Sequence, residues 1–388
     1  MQTKVVSFDV QYNAACFVTN HGDVRFVGDA SKYGQFGYWS KGNSTVAVVN
    51  SNGTTVRSLG DKNYRSPPQD MGKIVKCLMR YDATFALDEN NKLNVWGTVK
   101  KKTWEALPHS EKIKDIIPFG SCAIIFVKED GKNQLFEFRK IDNLIFANIQ
   151  AFLNHNKSGI SSAAFDHNIG WIRFNNGETV ICHDLNDDSC DKPCTPNLFV
   201  CQTEWIATDW HYLYWKTSSG VKSIARRDNS HHNPLNRSEE MKDAVYACSF
   251  GDHLCWMNED YSVHCLSWDW YQRDKEPLSF AFDKKPMSIH PYFIQDADGI
   301  LISCRKDTWS GADLILSAFP EWADDENIVM NLIKETPKNF QFASQRLRKS
   351  VEFSKKVAAL GPEHLAYVDG MMRRNRELRS YKRLYEMA

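Results

Sequence analysis

Apolar and polar residues alternate with a period of two along most of the first 320 positions, in short runs broken by tight polar turns. Leu93-Asn94-Val95-Trp96 and Val263-His264-Cys265-Leu266 show the alternation, which is that of a half-buried β-strand. The runs come in pairs. Residues 15–28 read as a strand Ala15-Cys16-Phe17-Val18-Thr19, a turn ending at Gly22, and a second strand Val24-Arg25-Phe26-Val27. Residues 83–97 repeat the pattern around Asn90-Asn91, and later turns fall at Asp130-Gly131, Asn176-Gly177, Ser219-Gly220, Glu259-Asp260 and Asp298-Gly299. Asn-Gly, Asp-Gly and Ser-Gly supply the positive φ angles that tight hairpins need. From Asn91 onward the turn residues stand at 91, 131, 177, 220, 260 and 299, in steps of 40, 46, 43, 40 and 39. A period of that size marks blades, solenoid coils or a repeat array.

A further strand precedes most hairpins, as in Ile74-Val75-Lys76-Cys77-Leu78, Ile113-Lys114-Asp115-Ile116-Ile117 and Ala244-Val245-Tyr246-Ala247-Cys248. Three or four short strands per repeat, with no helical stretch between them, predict a mainly β fold: a seven-bladed β-propeller over residues 1–320. A linear solenoid of hairpins is the rival, but aromatic-rich strands and irregular loop lengths suit radial packing better. The step from Gly22 to Asn91 is 69 and holds another hairpin pattern at residues 47–56. That segment supplies either the outer strands of the first blade or a stunted eighth blade. Beyond Pro320 turn glycines vanish and helix formers take over. Helices are expected over residues 324–335, 339–360 and 362–387, giving an α-helical tail over 321–388 with a helical hairpin. Phe340, Ala343, Leu347, Val351 and Ala358 form one apolar stripe, and Leu365, Val368, Met371, Met372, Leu378, Tyr381 and Tyr385 a broader one. Gly361 stops a helix and Pro362-Glu363 begins the next.

The first repeat resembles a known family. Gly22-Asp23-Val24-Arg25-Phe26-Val27-Gly28, followed by Tyr33-Gly34-Gln35-Phe36-Gly37, is similar to the signature of the regulator-of-chromosome-condensation propellers. Asn91-Lys92-Leu93-Asn94-Val95-Trp96-Gly97 matches its middle portion, and Ile113 to Gly120 its opening strand and glycine. Later copies keep only strand, turn and strand. The resemblance implies a seven-bladed propeller and, in the family's exchange factor, guanine-nucleotide exchange on a small GTPase. Arg80-Tyr81-Asp82 stands where the family's Gly-x-x-His is expected, and the loop positions used for exchange are degenerate. Attachment to chromatin is the family's other implied role.

Charge narrows the classes of partner. There are 48 basic and 48 acidic side chains, so no global field favours nucleic acid or a membrane surface. The N-terminus lacks a signal-peptide apolar core and no apolar run is long enough to span a bilayer, so an intracellular protein, cytoplasmic or nuclear, is expected. Eleven cysteines, mostly within strands, read as buried thiols in a reducing compartment. The balance hides an asymmetry. Residues 339–388 carry eleven basic against five acidic side chains. Arg373, Arg374, Arg376, Arg379, Lys382 and Arg383 are therefore candidates for contact with an acidic partner surface, set against the plainer reading of a solvated helical face. Nucleic-acid contact without base readout would enter only through chromatin.

Other concentrations of chemistry have plain readings. Cys182, His183, Cys190 and Cys194 would supply a zinc site within one loop, but their spacing departs from Cys-x2-Cys knuckles, and an interblade loop with incidental thiols is preferred. Aromatics of the runs 209–215 and 268–271 are expected to pack between blades, with Trp268, Trp270 and Tyr271 the candidates for exposed anchors to a protein partner. No serine elbow, P-loop or His-Glu-x-x-His helix is present, and no cofactor is expected. The expected function is a non-catalytic protein–protein interaction scaffold, with exchange on a small GTPase as the alternative and a chromatin adaptor as a third.

Overall fold

Backbone hydrogen bonding sorts the first 300 residues into small antiparallel sheets, each built from strands consecutive in sequence. The structure is a computed structural model and describes residues 2–11, 14–29, 44–49, 68, 70–80, 83–97, 104–108, 112–120, 123–138, 144–155, 158–166, 169–183, 197–209, 212–225, 236–250, 253–266, 276–304, 315–316, 318–365 and 367–368. Two compact units result, residues 1–299 and 300–388. No helix among the described residues is long and apolar enough to cross a membrane.

Among the described residues seven sheets succeed one another. The first holds Val5–Gln11, Ala14–Thr19, Val24–Asp29 and Ser44–Val49. The second holds Ile74–Arg80, Ala83–Asp88 and Leu93–Gly97; the third Ile113–Phe119, Ala123–Lys128 and Asn133–Glu137. The fourth holds Ile160–Asp166, Ile169–Phe174, Glu178–His183 and Asn197–Gln202; the fifth Trp205–Thr208, Tyr212–Thr217 and Gly220–Ala225. The sixth holds Ala244–Phe250, His253–Asn258, Val263–Leu266 and Leu278–Phe280. The seventh opens with Ser288–Ile289 and Phe293–Gln295, and Leu301–Ser303 follows. Ser44–Val49 pairs with Val24–Asp29, so this part of the ambiguous early hairpin is an outer strand of the first sheet. Residues 50–67 lie outside the described residues.

In every sheet the turn between the second and third strands carries a residue with positive φ. These are Gly22, Asn91, Gly131, Gly177, Gly220, Tyr261 and Gly299. Six are the turn residues that the sequence predicts; in the sixth sheet the conformation falls on Tyr261 instead of Asp260. The Asp260 carboxylate accepts from the Ser262 amide at 2.9 Å, an Asx-type turn that places the left-handed residue one position on. Alanine scanning of these turns should separate strain from crowding. Gly131→Ala is expected to cost only the left-handed backbone penalty of about 1–2 kcal/mol, because its side chain would meet nothing within 4 Å. Gly22→Ala should cost more, since its Cβ would lie 3.0 Å from the Lys73 Cα at the entrance to the next sheet. Equal losses in urea unfolding would contradict the close approach.

Neighbouring sheets are stapled in a recurring way. The Ile113 amide donates to the Asn91 carbonyl and the Thr203 amide to the Gly177 carbonyl, both at 2.9 Å. Each bond runs from the turn of one sheet to the entry of the next. The Val5 amide makes the same bond, 3.2 Å long, to the Gly299 carbonyl, joining the seventh sheet to the first. Gln295 Nε2 also donates to the Val5 carbonyl. Phe293 meets Phe8 and Phe17 edge-on across that junction, with ring centroids 6.1 and 5.6 Å apart. First strands touch between the first and second, the second and third, the third and fourth, and the fifth and sixth sheets, and the second strands of the first and second sheets also meet the first strand of the sheet that follows.

The expectation of no helix among the strands is corrected by the helix Leu144–His155, which lies between the third and fourth sheets in sequence. Its Ile149 and Leu153 are buried at i, i+4 spacing, a helical stripe inside an otherwise β grammar. The helix rests on the outer strand of the third sheet. There Gln150 Oε1 accepts from the Leu135 amide at 2.8 Å, and its Nε2 donates to the Asn133 carbonyl at 3.5 Å. One side-chain amide thus serves backbone groups that a fourth strand would otherwise satisfy.

In the second unit the helix Glu326–Glu335 begins at Asp325, whose carboxylate accepts from the Asn327 and Ile328 amides. The single helix expected over 339–360 is instead a 3-10 segment, Pro337–Phe342, and two short helices, Gln345–Lys349 and Val351–Ala358. Ser344 and Ser350 restart the chain as N-caps, accepting from the Leu347 and Phe353 amides. Phe340, Ala343, Leu347, Phe353, Val357, Ala358 and Val368 share one buried cluster with Val329 and Ile333. The expected last helix is described only at Pro362–Leu365; Met371, Met372, Leu378, Tyr381 and Tyr385 lie outside the described residues.

Candidate interaction surface

The entry to each first strand is built the same way in all seven sheets. The register of each first strand against its second strand fixes the equivalent positions. Val5, Ile74, Ile113, Ile160, Thr203, Ala244 and Pro286 are all buried. The next residue is exposed every time: Val6, Val75, Lys114, Ser161, Glu204, Val245 and Met287. In the first, second, third, fourth and sixth sheets this exposed residue is an extra one, skipped in the pairing with the second strand. Such a β-bulge places two residues opposite one and turns the extra side chain outward. In the fifth and seventh sheets the amides of Glu204 and Met287 bond the carbonyls of Lys216 and Gln295 at 2.8 and 2.9 Å.

The residues just before the buried position are Lys4, Lys73, Lys112, Gly159, Gln202, Asp243 and Lys285. The carbonyls of Lys4, Lys73, Lys112 and Gly159 accept from Asn20, Glu89, Glu129 and Asn175 at 2.9, 2.9, 3.2 and 2.7 Å, which confirms their equivalence. These positions stand at the entry of the first strands. Sequence inspection does not single them out, because a valine in an apolar strand reads as core.

The opposite ends of the first strands hold a buried polar cluster. The Arg80 guanidinium pairs with the Asp9 carboxylate at 2.7 Å; the two side chains are 3% and 9% exposed. The Met79 amide also donates to Asp9 at 2.8 Å. His290 lies edge-on to Phe8, and its Nδ1 accepts from the Tyr292 amide at 3.2 Å, leaving the ring proton on Nε2. Burial, then the charges of His253 and Arg80, hold His290 well below the usual histidine range, although the residue as a whole is half-buried. Its unfolded state therefore binds a proton below about pH 6.5 that the folded state refuses. Stability from this group is present above that pH and is lost as pH falls, by at most about 1.4 kcal/mol per pH unit. His290→Asn, which keeps an acceptor for the Tyr292 amide, should flatten the acid limb of a stability–pH curve. An unchanged slope would mean that His290 titrates normally.

In the fifth sheet Tyr214 donates its hydroxyl to Asp209 at 2.9 Å and accepts from the Arg237 amide at 3.3 Å. Burial, followed by the Asp209 charge, raises its pKa, so the phenol remains a neutral brace.

Of the residues singled out from sequence, Cys182 is buried in the core between the third and fourth sheets, and burial pushes its thiol up to about 11. His183 ends the same strand, while Cys190 and Cys194 lie outside the described residues. Among the described residues no group of three or more His, Cys, Asp or Glu side chains is placed so that it could hold a metal ion. Trp268, Trp270, Tyr271, Arg373, Arg374, Arg376, Arg379, Lys382 and Arg383 also lie outside them. None of the eight described cysteines is joined in a disulfide. Cys248, Cys255 and Cys265 face one another across three strands of the sixth sheet, with Cys255 and Cys265 Sγ 3.1 Å apart.

No family model matches the chain, and no curated protein matches it. Among solved structures it is similar to Prp20p from Saccharomyces cerevisiae, whose binding to Gsp1p and histones has been described; the TM-score is 0.40, the identity 12%, and 66% of this chain and 70% of that chain are covered. Human WBSCR16 is similar with a TM-score of 0.36 and 11% identity over 74% of this chain and 70% of that one. The computationally designed Ika8 protein is similar with a TM-score of 0.40 and 11% identity over 78% and 96%. Prp20, the yeast RCC1, belongs to the family that the first repeat resembles.

Proposed function

We propose that the chain is a seven-bladed β-propeller that acts as a non-catalytic protein–protein interaction scaffold. The observation that carries this reading is the bond from Val5 to Gly299, which repeats between the last sheet and the first the staple found between the second and third and between the fourth and fifth. A linear solenoid would leave the first and last sheets without that bond. A closed ring of seven sheets fixes one exposed side chain per sheet in a common frame, and a rigid array of that kind serves recognition. The basic residues Arg373, Arg374, Arg376, Arg379, Lys382 and Arg383 form a second contact surface, directed at acidic protein partners.

The test is to recover the tagged full-length protein from cells after mild cross-linking and to weigh the complexes. A scaffold should carry other proteins in fixed stoichiometry, and replacing the six basic residues by Gln should remove some of them. Recovery of the bare monomer alone would overturn the reading. Accelerated release of guanine nucleotide from a co-purified small GTPase would replace it by exchange activity.

A further inference from the structure

The seven equivalent exposed positions do not share one chemistry. They are apolar in four sheets that follow one another around the proposed ring: Val245 in the sixth, Met287 in the seventh, Val6 in the first and Val75 in the second. They are polar or charged in the other three, as Lys114, Ser161 and Glu204. Tyr246, next to Val245, adds an exposed ring, and Met287 is 60% exposed. Scattered surface apolar residues need no explanation, but these occupy one structural position in neighbouring sheets. The positions two residues earlier add a second pattern. They are lysine in the seventh, first, second and third sheets, as Lys285, Lys4, Lys73 and Lys112, all exposed. An apolar arc is thus bordered by positive charge over nearly the same sector.

We propose that this arc, resting on the scaffold reading above, docks an acidic amphipathic segment of a partner protein, one that presents aliphatic side chains to Val6, Val75 and Met287 and carboxylates to Lys4, Lys73 and Lys285. Charge decides the occupant. The chain's own C-terminal stretch is rich in arginine and lysine and would meet like charge. The arc supplies the desolvated centre of a small recognition site, and the lysines supply steering and register at its rim.

The probe is a fluorescein-labelled synthetic peptide rich in Glu and Leu, titrated against the full-length protein by anisotropy. Two control peptides carry Lys for Glu and Ser for Leu. The acidic peptide is expected to bind, more weakly as salt rises, and both controls to fail. Val6→Glu and Met287→Glu should each weaken binding about tenfold or more, or about 1.4 kcal/mol. Their melting temperatures should stay unchanged, because both side chains are exposed. Hydrogen exchange should slow on binding at residues 4–7, 73–76 and 285–288. Equal affinity for the variants, equal binding of the lysine peptide, or protection elsewhere overturns the inference. So does concentration-dependent self-association that Met287→Glu abolishes, which would make a second copy the occupant. If the variants keep every co-purifying partner, the arc is not the docking site, while the scaffold reading stands.

Discussion

Arg80→Met is expected to lower stability by about 3–5 kcal/mol, the cost of leaving a buried carboxylate without its cation. Arg80 and Asp9 sit on the first strands of adjacent sheets, and both are nearly closed to solvent. Methionine fills most of the same volume, so the loss would come from charge rather than from a cavity. Among the described residues Asp9 would keep the Met79 amide as its donor. The companion variant Asp9→Leu/Arg80→Met should recover most of the loss, because an apolar pair of similar volume commonly replaces a buried ion pair at little cost. Urea unfolding of the two proteins decides the matter. A single variant that loses under about 1 kcal/mol would mean that water reaches Asp9. The single variant should also raise the pKa of His290, since one of the positive neighbours holding it down is gone.

Phe293→Ala is the second change of large expected effect. The ring is 4% exposed and fills the junction of the seventh and first sheets against Phe8 and Phe17. Removing it should cost about 3–5 kcal/mol, as for other buried phenylalanines. The place where the loss shows matters more than its size. If the junction closes a ring, native-state hydrogen exchange of the Val5 amide, which bonds to Gly299, should become fast before the other sheets open. Val5 protection that still tracks global unfolding in the variant would show that the first sheet is held without that junction.

The turns were the most legible part of the chain, because a left-handed residue between two apolar runs has few sequence solutions. The first strands of five sheets were less plain, since the bulge after the buried entry residue interrupts the alternation from which a strand is recognised. The helix Leu144–His155 escaped for a related reason: its apolar residues sit within a β repeat, and its place is explained by the burial of Ile149 and Leu153 in the core together with the contact of Gln150 with the edge of the third sheet. In the second unit Ser344 and Ser350 have enough capping strength to divide a continuous apolar stripe into short helices. The arc of Val245, Met287, Val6 and Val75 is the extreme case. Its members are far apart in sequence and ordinary in type, and register alone brings them to one position.

The junction of the first and seventh sheets also sets an order of events during synthesis. Val5 and Gln295 are separated by 290 residues. At about 5–20 residues per second, roughly 15–60 s pass on the ribosome between the emergence of one partner and that of the other. Through that interval the other sheets can assemble in turn, while the edge of the first waits with Phe8 and Phe17 uncovered. Apolar surface left open for that long is prone to aggregation, a hazard that leaves no mark on the finished molecule.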